Sequence, residues 1–92
     1  MTAKRSRLEI YFDVLRVIMK GVTRPTRIMY SANLSWNSIQ EILTTLVQQG
    51  FIIEETVKNS KRYEITEKGE RILSYYRKAI DGLTIEPIKT RR

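Results

Sequence analysis

A mainly α-helical fold with one small β-hairpin, in the order helix, helix, helix, strand, strand, helix, is predicted for this chain by three observations. Apolar residues recur at helical spacing around residues 8–19, 39–47 and 72–83. After Gly50 the period shortens to that of a strand, in two runs divided by Lys58-Asn59-Ser60-Lys61. Glycine and proline punctuate the pattern at Gly21, Pro25, Gly50 and Gly82, where one element must end or the next begin.

The first helix opens with Ser6-Arg7-Leu8-Glu9, a capping-box spacing in which the Ser hydroxyl and the Glu carboxylate each satisfy an orphan N–H. Gly21 gives it a natural stop. At about 100° per residue, Glu9, Asp13, Arg16 and Lys20 gather on one polar stripe. The remainder, from Leu8 through Ile10, Tyr11, Phe12, Val14, Leu15, Val17 and Ile18 to Met19, is apolar. That arc is wider than the roughly 100° needed to pack on one core, so part of it is expected to face a second subunit, the plainer alternative being that the helix is central in its own domain.

Pro25 disfavours a helical Arg24 and suits a first helical turn, which predicts a short second helix over 25–32. Asn33-Leu34-Ser35 then forms a tight polar turn, with Ser35 placed to cap a third helix over 36–49 that stops at Gly50. Ile39, Ile42, Leu43, Leu46 and Val47 are its buried stripe, and Trp36, at the stripe's edge, is expected to join the core. The hairpin is expected over 51–57 and 62–65, with a four-residue turn between. Thr66 caps a last helix running to about residue 81 and ended by Gly82, with Ile72, Leu73, Tyr75, Tyr76, Ala79, Ile80 and Leu83 on a broad apolar arc. Gly69, in its first turn, is expected to weaken it locally.

A chain of 92 residues allows one domain with one modest core, and chains this short often recover buried surface by oligomerising. The expected organisation is a basic N-terminal arm over 1–6, a domain over 7–82 whose helix 66–81 pairs two subunits, and a flexible basic tail over 83–92. With no cysteine and no histidine, the chain offers no disulfide, no thiolate nucleophile, no imidazole base and none of the usual zinc or haem ligands. The adjacent carboxylates Glu54 and Glu55 fall on a strand, where successive side chains point to opposite faces and cannot share a substrate. No catalytic residue, cofactor or metal is therefore expected, and the chain is not expected to be an enzyme.

A formal net charge of +7, from 17 Lys+Arg against 10 Asp+Glu, suits a polyanionic partner, although charge of this size also keeps an ordinary domain soluble. No apolar run approaches the roughly 18 to 20 residues that span a bilayer, and the start MTAKRSRLE lacks an apolar signal core. No membrane association is expected, and the expected location is cytoplasmic, on the nucleoid.

Helix, short helix, tight turn, helix, hairpin, helix is the order that a winged helix-turn-helix requires, with the third helix entering the major groove of double-stranded DNA. The face opposite the buried stripe of that helix carries Asn37, Ser38, Gln40, Glu41, Thr44, Thr45 and Gln48, the candidate base readers. Neutral donors and acceptors suit base edges, whereas charges suit phosphates. Arg24 and Arg27 at the second helix, with Lys58, Lys61 and Arg62 at the hairpin tip, are the candidate phosphate contacts. The plainer alternatives are a solvated helix face and a charged turn that protects a sheet edge. A homodimer is expected, with Ile10, Val14 and Val17 of the first helix and Tyr75, Tyr76 and Ile80 of the last at its seam.

The runs RLEIYFDVL, TRIMYSANLS, LVQQGFI and YEITEKGERIL together resemble archaeal winged-helix proteins regarded as transcriptional regulators. The resemblance covers residues 7–77, and its most specific piece is 26–35; TEKG occurs in many winged-helix families. It implies DNA binding through residues 36–49 and the wing. Close relatives include abundant archaeal DNA-binding proteins whose last helix pairs in a long antiparallel coiled coil. Gly82 and Pro87 are expected to shorten that helix here and give a compact seam.

Two functions from different classes fit: a sequence-specific regulator, favoured by the neutral Asn/Gln/Thr face, and a non-specific architectural chromatin protein, favoured by charge and size. A winged helix used as a protein-interaction module would need apolar anchors on the exposed face of the third helix, which has none.

Overall fold

Local capping chemistry sets where each helix starts. A computed structural model describes residues 5–85, and in it α1 spans Arg7–Met19. Ser6 Oγ accepts from the Glu9 amide at 3.0 Å, and the Glu9 carboxylate accepts from the Ser6 amide at 2.7 Å, completing the capping box. α2, Pro25–Ala32, has its proline in the first turn and ends at Asn33, whose φ of 59° is the left-handed cap conformation. α3, Trp36–Gln48, is capped by Ser35, whose Oγ accepts from the Ser38 amide at 3.1 Å. β1, Ile52–Val57, pairs antiparallel with β2, Ser60–Ile65, in a register running from Ile52↔Ile65 to Val57↔Ser60. α4 spans Glu67–Ile85, with Thr66 Oγ1 accepting from the Gly69 amide at 3.0 Å.

The core lies where α1, α2, α3 and the base of the hairpin meet. Leu15, Ile28, Ile39, Ile52, Leu73 and Val14 are its most enclosed side chains. Among the described residues no polar or charged residue other than Tyr63 is buried as a whole, so burial of apolar surface, worth about 1.5–3 kcal/mol per large side chain, drives the fold. Phe12 and Tyr76 stack with ring centroids 3.9 Å apart and join α1 to α4. Lys68 Nζ donates to the Gln49 carbonyl at 2.7 Å and stands 5.0 Å from the centroid of the Phe51 ring. It thereby ties the start of α4 to the end of α3.

The fold class and element order are those read from the sequence, and several details differ. The hairpin turn has two residues rather than four. Lys58 and Asn59 both take positive φ, 50° and 66°, the turn geometry whose twist matches the paired strands, so pairing continues to Val57↔Ser60. Lys61 and Arg62 are consequently strand residues on opposite faces of the wing. α4 continues through Gly82 to Ile85, because one glycine costs a helix only about 1 kcal/mol and does not end it. The end near residue 81 is thus moved outward, and the tail proposed over 83–92 begins as helix; residues 86–92 lie outside the described residues, as do 1–4 of the arm. Arg5, the arm's last but one residue, is docked: its guanidinium pairs with Asp13 at 2.8 Å and donates to the Asn33 carbonyl at 3.2 Å.

Two apolar assignments are also corrected. Val14, placed at the seam between subunits, is 0% exposed, so it is a core side chain with no surface left for a partner. Its helix packs on α2, α4 and β2 at once, which absorbs most of the wide apolar arc within one domain. Trp36, expected in the core, is 44% exposed.

Candidate nucleic-acid interface

The outward face of α3 is built by its period. With Ile39, Ile42, Leu43 and Leu46 buried, Asn37, Gln40, Glu41, Thr44 and Gln48 are carried to the solvent side, each exposed. Ser38 and Thr45, grouped with them on the sequence, sit half-buried at the margin. The Ser38 hydroxyl accepts from Ser35 Oγ at 3.0 Å, and Thr45 lines an apolar groove with Leu8, Tyr11 and Phe51. Thr44 Oγ1 donates to the Gln40 carbonyl at 2.9 Å, which leaves its oxygen as an acceptor toward solvent.

On one flank of α3 stands the wing. A cleft of about 260 Å³ between them is lined by Pro25, Trp36, Gln40, Thr44, Glu54, Lys61 and Tyr63, among others. Strand alternation turns Glu54, Lys61 and Tyr63 toward α3 together, since Glu54 pairs with Tyr63 across the hairpin. The Tyr63 hydroxyl donates to Glu54 Oε2 at 2.6 Å, and Lys61 Nζ lies 3.5 Å from the same oxygen. The Tyr63 hydrogen bond, with the charge of Lys61, holds the Glu54 carboxyl below its ordinary pKa. Burial, then the neighbouring carboxylate, pushes the Tyr63 phenol up, so it remains a donor.

The phosphate candidates separate into groups. Lys58 is exposed at the wing tip and Lys61 faces the cleft. Arg62 lies on the opposite face of the wing, half-buried, with an enclosed Nε that has no protein partner. Arg24, the residue before α2, and Arg27 are both exposed. Of the seam candidates, Tyr75 and Ile80 are exposed at 60% and 39%, Ile10 and Val17 are half-buried against the core, and Tyr76 is held by its stack on Phe12.

On the other flank of α3 is a residue that sequence reasoning assigned no role. Arg7, at the start of α1, reaches across to Glu41, with Nη2 to Oε2 at 3.2 Å. Its Nε donates to the Tyr11 hydroxyl at 3.2 Å. Arg7 and Glu41 are 34 positions apart, so no local pattern could have announced their contact. Tyr30, 77% exposed on α2, was likewise passed over. Among the described residues there is no cluster of acidic side chains placed to hold a metal ion, and no helix is long and apolar enough to cross a membrane.

Comparison with known proteins agrees with this geometry. An uncharacterized protein of Methanocaldococcus jannaschii is 39% identical over 71 residues, covering 77% of this chain and 69% of that protein. A second uncharacterized protein of the same archaeon is 32% identical over 72 residues, and the chain spans only 32% of its length. Among solved structures, Sso10a-2, a DNA-binding protein from Sulfolobus solfataricus, is 33% identical with a TM-score of 0.72, covering 86% of this chain and 85% of that one. F93 from STIV, a winged-helix DNA-binding protein, shares the fold at 15% identity, with a TM-score of 0.74 over 92% of this chain and all of that one. A model of the winged helix-turn-helix family matches residues 4–83, nearly the whole of the described structure, and the chain belongs to that family.

Proposed function

We propose that the chain is a dimeric, sequence-specific DNA-binding protein acting as a transcriptional regulator on the nucleoid, with α3 in the major groove and the wing on the phosphate backbone. One observation carries the reading: the exposed face of α3 presents Asn37, Gln40, Thr44 and Gln48, all uncharged hydrogen-bonding side chains, while the cations stand beside it. Base edges are read by such groups, and phosphates by charge. Sso10a-2, a relative described as DNA-binding, lends support. No step of this function calls for catalysis.

Pairing rests on α4. Nineteen residues at about 1.5 Å each make a helix of about 28 Å, longer than the 13-residue α1 on which it packs. Tyr76 meets Phe12, Ile80 lies near Arg5 and Glu9, and the last turns run on past the start of α1. Leu8 on α1 and Tyr75 and Ile80 on α4 are exposed apolar side chains. A second copy covering this surface would set two α3 helices on one face of a duplex.

The +7 charge and small size favour a second reading, a non-specific architectural protein. Fragments selected from random DNA, followed by affinity measurements on selected and random duplexes, separate the two. The proposal expects a preference of roughly 10³-fold or more. Gln40→Ala should cost about 1–3 kcal/mol on the selected site and leave random DNA nearly unaffected. Equal affinity for both duplexes, or an equal loss on both, would establish the architectural reading instead.

A further inference from the structure

Glu41 is the one charged residue of α3, and it stands on the face that the proposed function gives to DNA. A carboxylate there repels phosphates and is poorly placed unless something offsets it. The offset comes from outside the helix. Arg7 reaches Glu41 at 3.2 Å, is anchored by the Tyr11 hydroxyl, and keeps its guanidinium carbon 5.6 Å from the centroid of the Tyr11 ring. Both partners are open to solvent, with side chains 62% and 64% exposed. Exposed ion pairs contribute little to stability, so holding the fold together is a weak reason for this pair to exist, and it is easily exchanged.

The position of the pair gives a better reason. Glu41 lies about 100° around α3 from Gln40, on the side toward α1, whereas Gln40 lines the cleft toward the wing. Each flank of α3 thus holds one cation against one carboxylate: Lys61 with Glu54 on the wing side, Arg7 with Glu41 on the other. A helix lying in the major groove has a phosphate strand on each side. Arg24 precedes Pro25, which lines the wing-side cleft, and Lys58 and Lys61 belong to the wing, whereas Arg7 is a cation on the α1 side.

We propose that Arg7 is a phosphate clamp on that second strand, stored over α3 by Glu41 and Tyr11, and that it exchanges the Glu41 carboxylate for a backbone phosphate when duplex DNA enters. Guanidinium suits the role because its planar fork grips a phosphate through two parallel N–H bonds. This inference rests on the DNA-binding reading above, and its test is arranged so that the two can fail separately.

The test measures affinity of the full chain for a random duplex over a series of salt concentrations, for wild type, Arg7→Ala, Arg7→Lys, Glu41→Gln, the double variant of Arg7→Ala with Glu41→Gln, and a wing variant with Lys58, Lys61 and Arg62 changed to Ala. Thermal melts check that each variant remains folded. Arg7→Ala is expected to weaken binding several-fold and to flatten the slope of log affinity against log salt by about 0.9, the loss of one phosphate contact. Arg7→Lys should keep the slope, and Glu41→Gln should tighten binding. In the double variant the slope should stay flattened. If Arg7 merely neutralises Glu41, the double variant returns to the wild-type affinity and slope, which overturns the clamp. A flattened slope in the wing variant with an unchanged slope in Arg7→Ala also overturns it while leaving the DNA-binding reading intact. Absence of duplex binding by the wild type overturns both.

Discussion

Lys58 occupies a backbone conformation that a lysine does not favour. Its φ of 50° lies in the left-handed region, where a residue with a Cβ gives up roughly 1–2 kcal/mol and where asparagine or glycine is the usual occupant. Asn59, its neighbour in the turn at φ 66°, fits that expectation; Lys58 does not. Strain kept at one position points to a role there, and a cation at the wing tip is the role the proposed function supplies. Lys58→Asn is therefore expected to stabilise the fold by up to about 1 kcal/mol in a denaturant titration. The same variant should bind duplex DNA more weakly, with a salt slope flatter by about 0.9. A variant less stable than wild type, or one with unaltered salt dependence, would remove the link between the strained turn and DNA. At this scale the sequence was only partly legible. Lys58 as a tip cation could be read from composition, whereas its φ, the pairing of Arg7 with Glu41 and the exposure of Trp36 depend on residues far along the chain or on the turn type adopted.

The elements themselves were the most legible level, because their limits are written in short-range chemistry. Pro25, Asn33, Ser35 and the Ser6–Glu9 box act within four residues and set helix starts or stops at those places. Where packing decides, the reading fell short. Gly69 looked like a weak point of α4, yet a Cβ there would strike the Phe51 carbonyl and come within 2.7 Å of Ile65 Cγ1, so its bare backbone is what lets α4 lie against the base of the hairpin. Lys61 and Arg62 could not be assigned to faces without the register, which the two-residue turn fixes, and a slip of one position exchanges the faces. α4 also carries the prediction proper to this scale. If its exposed surface pairs with a second copy, the wild type should sediment above monomer mass at micromolar concentration, and Tyr75→Glu should return it to monomer and weaken DNA binding through loss of bivalency. A wild type that sediments as a monomer would end the dimer reading.

At the scale of the whole molecule, two faces compete for meaning. One is formed by α3, the wing and the start of α1, with uncharged hydrogen-bonding side chains at its centre and Lys58, Lys61 and Arg7 around them. The other is the outer surface of α4, where Tyr75 and Ile80 are exposed. The charge of +7 favours an anionic partner without saying where it sits, since a net charge carries no direction. Mapping backbone amide chemical-shift changes while a short DNA duplex is titrated into labelled protein asks that question of every residue at once. The largest changes are expected at Asn37, Gln40, Glu41, Thr44 and Gln48, at 58–61 in the wing, and at Arg7, with Tyr75 and Ile80 little affected. Changes concentrated on α4, with α3 and the wing silent, would contradict that expectation.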